Sequence, residues 1–222
     1  MKQAAILVFP GTNRETDMAH ALTLAGFDVR YIFCTQDNLP NDLDLIALAG
    51  GFSYGDYLRS GAIAANTAII PALKKYADCG GNIIGVCNGF QILCEIGLLP
   101  GALIHNQSGR FICTATDIKV VHNQSHFTQE YEADQIINLP IAHGEGNYFA
   151  DSVTLARLKK NNQILFEYVT NPNGSCHNIA GITNEAGTIL GMMPHPENHV
   201  DVYQKNSDGL GIFYSLKNKI IA

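Results

Sequence analysis

The chain has 222 residues, of which 46% are apolar and 15% charged, enough to bury a sizeable core and too apolar for disorder as its main state. Its 14 basic and 20 acidic residues leave a net charge of −6, so the surface as a whole offers no general attraction to nucleic acid or to an anionic membrane. No apolar stretch approaches the length of a membrane span, and the first apolar run stops at Pro10-Gly11 where a secretory leader would continue; a cytoplasmic address is expected.

In chain order, residues 4–9 form a short continuous apolar run bounded by the Pro-Gly turn, the pattern of a buried strand. The polar stretch 12–17 supplies a helix entry, and that helix ends near Leu24-Ala25-Gly26. Strands are predicted over 28–33 and 43–49, the latter running into Gly50-Gly51. Residues 62–78 read as a helix with an interruption at Pro71, and 82–86 as a strand followed at once by a helix over 89–96. Strands alternating with helices across Gly-rich turns predict an α/β fold with a mostly parallel sheet covered on both faces. Past Gly101 the spacing shortens, with strands predicted over 111–121, 136–141, 163–169, 179–183 and 188–193. Asn184-Glu185-Ala186-Gly187 makes a hairpin-like turn between the last two, and a helix is expected over 208–221. With no repeat, low-complexity tract or linker, residues 1–222 read as one domain with a strand-rich second half.

Six cysteines (Cys34, Cys79, Cys87, Cys94, Cys113 and Cys176) contain no Cys-x-x-Cys pair, so neither a zinc ribbon nor a redox pair is indicated. Most are expected to be reduced and buried as small hydrophobes. Cys87 is the exception. In Gly85-Val86-Cys87-Asn88-Gly89 it stands where an apolar strand meets a helix, the cysteine form of a nucleophile elbow. Such a turn needs small neighbours, and the helix N-terminus favours thiolate. A thiol needs a base, and Met193-Pro194-His195-Pro196-Glu197 follows another strand. In extended geometry the two side chains point the same way, so Glu197 is expected to orient His195 towards the sulfur. Gly50-Gly51 at a strand end is a candidate oxyanion donor, paired with the N–H of Asn88. It lacks the spacing and Lys of a phosphate-binding loop. His195 and His199 lie four apart, but Pro196 removes the continuous helix a zinc motif needs; His122 and His126 read as a solvated loop. No metal site is expected.

The string Gly85-Val86-Cys87-Asn88-Gly89-Phe90-Gln91, the His195-Pro196-Glu197 segment and the Gly50-Gly51 turn resemble the triad-type glutamine amidotransferases, in order and spacing over nearly the whole chain. Two longer strings, residues 50–59 and Pro140-Ile141-Ala142-His143-Gly144-Glu145-Gly146, are similar to the branch formed by glutaminase subunits of phosphoribosylformylglycinamidine synthases, as is the segment 106–111. Asn147 departs from that branch, which usually has Arg there. The resemblance implies a flavodoxin-like fold and attack by Cys87 on the side-chain amide of L-glutamine, forming a γ-glutamyl thioester. It gives His195 the proton transfers and Glu197 the orienting role. The backbone of Gly51, Phe52 and Asn88 would hold the oxyanion, and Gln91, His143, Gly144 and Glu145 would lie near the bound glutamine, with Arg110 and Phe111 as further candidates. It also implies a large synthetase subunit, often with a small third subunit, to which ammonia is passed. ATP and Mg would belong to that synthetase, and this chain would carry no cofactor. Three other readings stay open on the residues alone: a glutaminase serving a different synthetase, a stand-alone cysteine hydrolase, and a catalytically silent regulatory module.

Overall fold

The computed structural model describes residues 1–221. The first half alternates as expected: β1 (Lys2–Val8), α1 (Glu15–Leu24), β2 (Phe27–Phe33), β3 (Leu45–Leu48), α2 (Ile70–Asp78), β4 (Asn82–Val86) and α3 (Asn88–Glu95). The second half adds β5 (Ala102–Ile104), β6 (Ile112–Val120), β7 (Ile136–His143), β8 (Asn147–Phe149), α4 (Ser152–Lys160), β9 (Ile164–Tyr168), β10 (Ile179–Thr183), β11 (Ile189–Met192) and α5 (Leu210–Ile221).

One nine-stranded sheet runs β2-β1-β3-β4-β11-β10-β9-β6-β7. Its first five strands are parallel, in the doubly wound order of flavodoxin-like folds, and β10, β9, β6 and β7 continue it antiparallel. Composition follows position. The central strands β3, β4 and β11 are buried almost without interruption, as strands covered on both faces must be. At the far edge β7 alternates buried and partly exposed residues, with one face against the core. β5 and β8 pair separately as a short ribbon.

Several expectations need correction. The helix predicted over 62–78 is a short 3₁₀ turn, Ala64–Asn66, followed by α2. Thr67 is extended between them, and Pro71 falls in the first turn of α2, where its missing N–H costs nothing. Helix α4 and the β5–β8 ribbon were not anticipated. The helix carried its own signals, since Asp151 accepts the Thr154 N–H at 2.7 Å and Arg157, Lys159 and Lys160 complement its C-terminal dipole. The cysteines are all free, but only Cys34 and Cys87 are buried, and Cys79 and Cys113 are exposed. No helix among the described residues is long and apolar enough to cross a membrane.

Candidate active site

Cys87 occupies the single residue between β4 and α3, at φ 52° and ψ −107°. A non-glycine residue there costs about 1–3 kcal/mol, so its surroundings must hold it. Its N–H donates to the Met192 carbonyl of β11 at 2.8 Å, and its carbonyl accepts the Gln91 N–H at 3.1 Å, the opening bond of α3. The small neighbours are required. A Cβ on Gly89 would lie 2.0 Å from the Leu48 oxygen, and one on Gly85 would lie 2.8 Å from the Gly89 carbonyl carbon. The sulfur is 3.7 Å from the Ala142 oxygen at the end of β7.

His195 arrives from β11, the strand beside β4, with its N–H donated to the Pro140 carbonyl at 2.8 Å. Its Nδ1 is 2.7 Å from Glu197 Oε1, and both side chains are buried. The pairing was expected from extended geometry, but the segment is a tight 3₁₀ turn, Pro196–Asn198. Gly209 locks that turn, since a Cβ on it would meet the Pro196 oxygen at 2.1 Å. Burial opposes the imidazolium, yet the Glu197 carboxylate and the Cys87 sulfur outweigh it and raise His195 to about 10. Its Nε2 is not hydrogen-bonded in this arrangement.

Gly50 packs against the imidazole: a Cβ there would come 2.7 Å from His195 Cε1. At Gly51 a Cβ would meet the Gly11 oxygen at 2.6 Å. The N–H of Phe52, also expected near the oxyanion, donates to the Gly11 carbonyl at 2.9 Å. Asn88 stands in the first turn of α3, whose N–H groups precede the first intrahelical bond. Its side chain accepts the Ser53 N–H at 3.2 Å and donates to Gln91 Oε1 at 2.9 Å, and Gln91 donates to the Glu145 carbonyl at 2.7 Å. This relay ties α3 to the loop after β3 and to the end of β7.

A cleft opens above Cys87, and Gly51, Phe52, Gln91, Phe111, His143, Gly144 and Glu145 all line it. The Phe52 and Phe111 rings face one another at 6.2 Å on its rim. His143 is 2% exposed, and burial together with the nearby His195 charge pushes it down to about 4, so it is neutral at physiological pH. Arg110 does not line the cleft. Its backbone is held by Ser108 and Asn106, and the residue is exposed. Among the described residues no group of three or more His, Cys, Asp or Glu is placed to hold a metal ion.

A family model of the CobB/CobQ-like glutamine amidotransferase domain matches residues 1–213. The chain belongs to that family. Among solved structures it is similar to a chain of PurLQS from Thermotoga maritima, at 44% identity over 99% of each chain with a TM-score of 0.91. A glutamine amidotransferase from Thermotoga maritima aligns over 99% of this chain and 98% of its own at 13% identity, with a TM-score of 0.68. The glutaminase domain of Trypanosoma brucei CTPS with bound acivicin covers 100% of this chain and 94% of its own at 15% identity, with a TM-score of 0.65. The last two show the shared fold alone.

The amidotransferase cleft also contains residues that sequence reading did not single out: Asp56, Ser60, His105 and Ala142. Asp56 lay inside the quoted 50–59 string, but its position depends on left-handed backbone at Tyr54, Gly55 and Asp56, which no periodicity announces. The glycine facing the imidazole makes a direct test of the geometry. Gly50→Ala is expected to displace the His195 ring and lower glutamine kcat about 100-fold, with the melting temperature changed little, as read by steady-state kinetics and a thermal melt. Wild-type kcat in a folded variant would mean that the ring does not work from this position.

Proposed function

We propose that this chain is the glutaminase subunit of a phosphoribosylformylglycinamidine synthase, working as one domain across residues 1–222. The observation that carries the reading is the full-length similarity at 44% identity to a chain of PurLQS, joined to a buried cysteine, histidine and glutamate on adjoining strand ends. His195 carries the proton, held there by the Glu197 carboxylate and the sulfur, and Cys87 Sγ attacks the side-chain carboxamide carbon of L-glutamine. The N–H groups of Gly51 and Asn88 stabilise the resulting oxyanion. Collapse breaks the C–N bond, His195 returns the proton to the leaving ammonia, and a γ-glutamyl thioester remains. His195 then takes a proton from water, whose attack releases glutamate and the free thiol, while Glu197 fixes the imidazole through Nδ1.

The ammonia serves a large synthetase subunit that holds ATP and Mg and converts formylglycinamide ribonucleotide to the amidine, with a small third subunit completing the complex. Transfer takes place within the complex, since ammonia released to water becomes ammonium and loses its nucleophilic lone pair. The cytoplasm suits this work. Glutamine hydrolysis assayed for the chain alone, and with the synthetase in the presence and absence of its nucleotides, tests the reading. Weak activity alone and strong activation in the loaded complex are expected. Full turnover by the isolated chain, unaffected by the synthetase, would favour a stand-alone hydrolase.

A further inference from the structure

Of the two histidines four apart in the His195–His199 segment, the chemistry at the sulfur uses only the first. We infer that His199 is a positioning residue: by donating from Nδ1 to the Asn138 carbonyl it sets the Pro196–Asn198 turn on β7, and with it the angle at which His195 meets Cys87. The inference rests on His195 being the proton-transfer partner of Cys87.

β7 lies at one edge of the large sheet, and an edge strand turns alternate backbone groups outward. Asn138, Pro140 and Ala142 share that outward side. Each of their carbonyls meets a different part of the site: His199 Nδ1 at 2.6 Å, the His195 N–H at 2.8 Å and the Cys87 sulfur at 3.7 Å. Successive outward carbonyls stand about 7 Å apart along a strand, so β7 acts as a ruler between the turn and the sulfur. Pro140 suits the middle position, because a proline on an edge leaves no outward N–H unpaired. The outward N–H of Asn138 is taken by Asp208 Oδ2 at 2.8 Å.

The His195 N–H cannot fix the turn by itself. Pro194 and Pro196 flank it and have no N–H, so the backbone from 194 to 196 offers a single donor. One hydrogen bond leaves the segment free to swing about that point. His199 supplies a second one. It is 5% exposed, its N–H closes the turn on the Pro196 carbonyl at 3.0 Å, and its carbonyl accepts the Gly209 N–H at 2.8 Å. A carbonyl can only accept, so Nδ1 of His199 carries a hydrogen whatever the charge of the ring. Asn206 Nδ2 reaches the same Asn138 oxygen at 3.5 Å, the far limit for such a bond.

The test uses the assembled complex and compares His199→Leu, which is of similar size and cannot donate, with His199→Asn, whose Nδ2 can stand in for Nδ1. His199→Leu should lower kcat for glutamine about 10- to 100-fold with KM changed less than about 2-fold, and His199→Asn should recover most of that loss. Alkylation of Cys87 by iodoacetamide reads the geometry without glutamine; it is followed on the Cys87 peptide, because Cys79 and Cys113 are also exposed. Glu197, Cys87 and His143 are the titratable groups that act on or feel His195, and both variants leave them in place. As the thiolate loses its imidazolium, the pH midpoint of alkylation should rise by about one unit in His199→Leu and return in His199→Asn. Wild-type kcat in His199→Leu, or equal losses in both variants with an unmoved alkylation midpoint, would reduce His199 to packing. Should a thermal melt show that His199→Leu does not fold, His199→Ala carries the same comparison. A wild-type complex that is alkylated at Cys87 yet hydrolyses no glutamine would instead overturn the functional reading itself.

Discussion

Cys87→Ala should cut glutamine-dependent synthesis by the assembled complex at least about 10⁴-fold, while synthesis driven by added ammonium salt continues at the wild-type rate. The substitution removes one buried sulfur and no backbone bond. The N–H to the Met192 carbonyl and the carbonyl to Gln91 persist, and alanine at φ 52° is no more strained than cysteine. What disappears is the acyl acceptor. The oxyanion donors and cleft remain, but they stabilise a tetrahedral centre that no longer forms. Ammonia added from solution bypasses the cleft and meets the synthetase directly. Normal glutamine-driven turnover in this variant would remove Cys87 from the mechanism, and equal loss with ammonia would point to failed assembly.

Glu197→Gln should lower kcat by about 10³- to 10⁴-fold with little change in KM, the scale expected when the orienting group of a triad is neutralised without changing its shape. Glu197 is fully buried, with Oε1 2.7 Å from His195 Nδ1, and an amide of the same size fits that space. If its NH₂ faces Nδ1, the imidazole proton moves to Nε2, where it can no longer take one from Cys87. The same variant carries a pH signature. Because His195 is raised to about 10 in the folded state, its contribution to stability is fully present below the ordinary value of 6.5 and is lost as pH rises through about 10. Glu197→Gln removes the carboxylate responsible, so thermal melts from pH 6.5 to 10 should fall less steeply than those of the wild type. Parallel melting curves would mean that the pair is not charged in the folded protein.

The elbow was legible because its requirements are local: two glycines, an apolar strand before and a helix after. His-Pro-Glu was legible as residue types, although the carboxylate meets Nδ1 through a tight turn and not along an extended segment. What escaped reading depends on distant partners. The Phe52 N–H is claimed by Gly11, in the loop before α1, and nothing near Phe52 announces that bond. Arg110 shares a string with Phe111, yet only the phenyl ring reaches the cleft. The parallel first half followed from alternation, and the last hairpin from Asn184 to Gly187. The order of strands did not, because β11 pairs with β4 through backbone register across the intervening chain.

That late strand constrains how the molecule is made. Residues 189–192 lie between β4 and β10 and are the sole join between the parallel and antiparallel parts of the large sheet. During synthesis the first four strands emerge early, with the thiol bend already encoded, but the carbonyl that braces its amide belongs to Met192. A nascent polypeptide on the ribosome therefore has neither a continuous sheet nor a braced Cys87 until residues 189–192 have been made. Until then the flank of β4 that β11 covers lies open, an unpaired edge of the kind that invites wrong pairing.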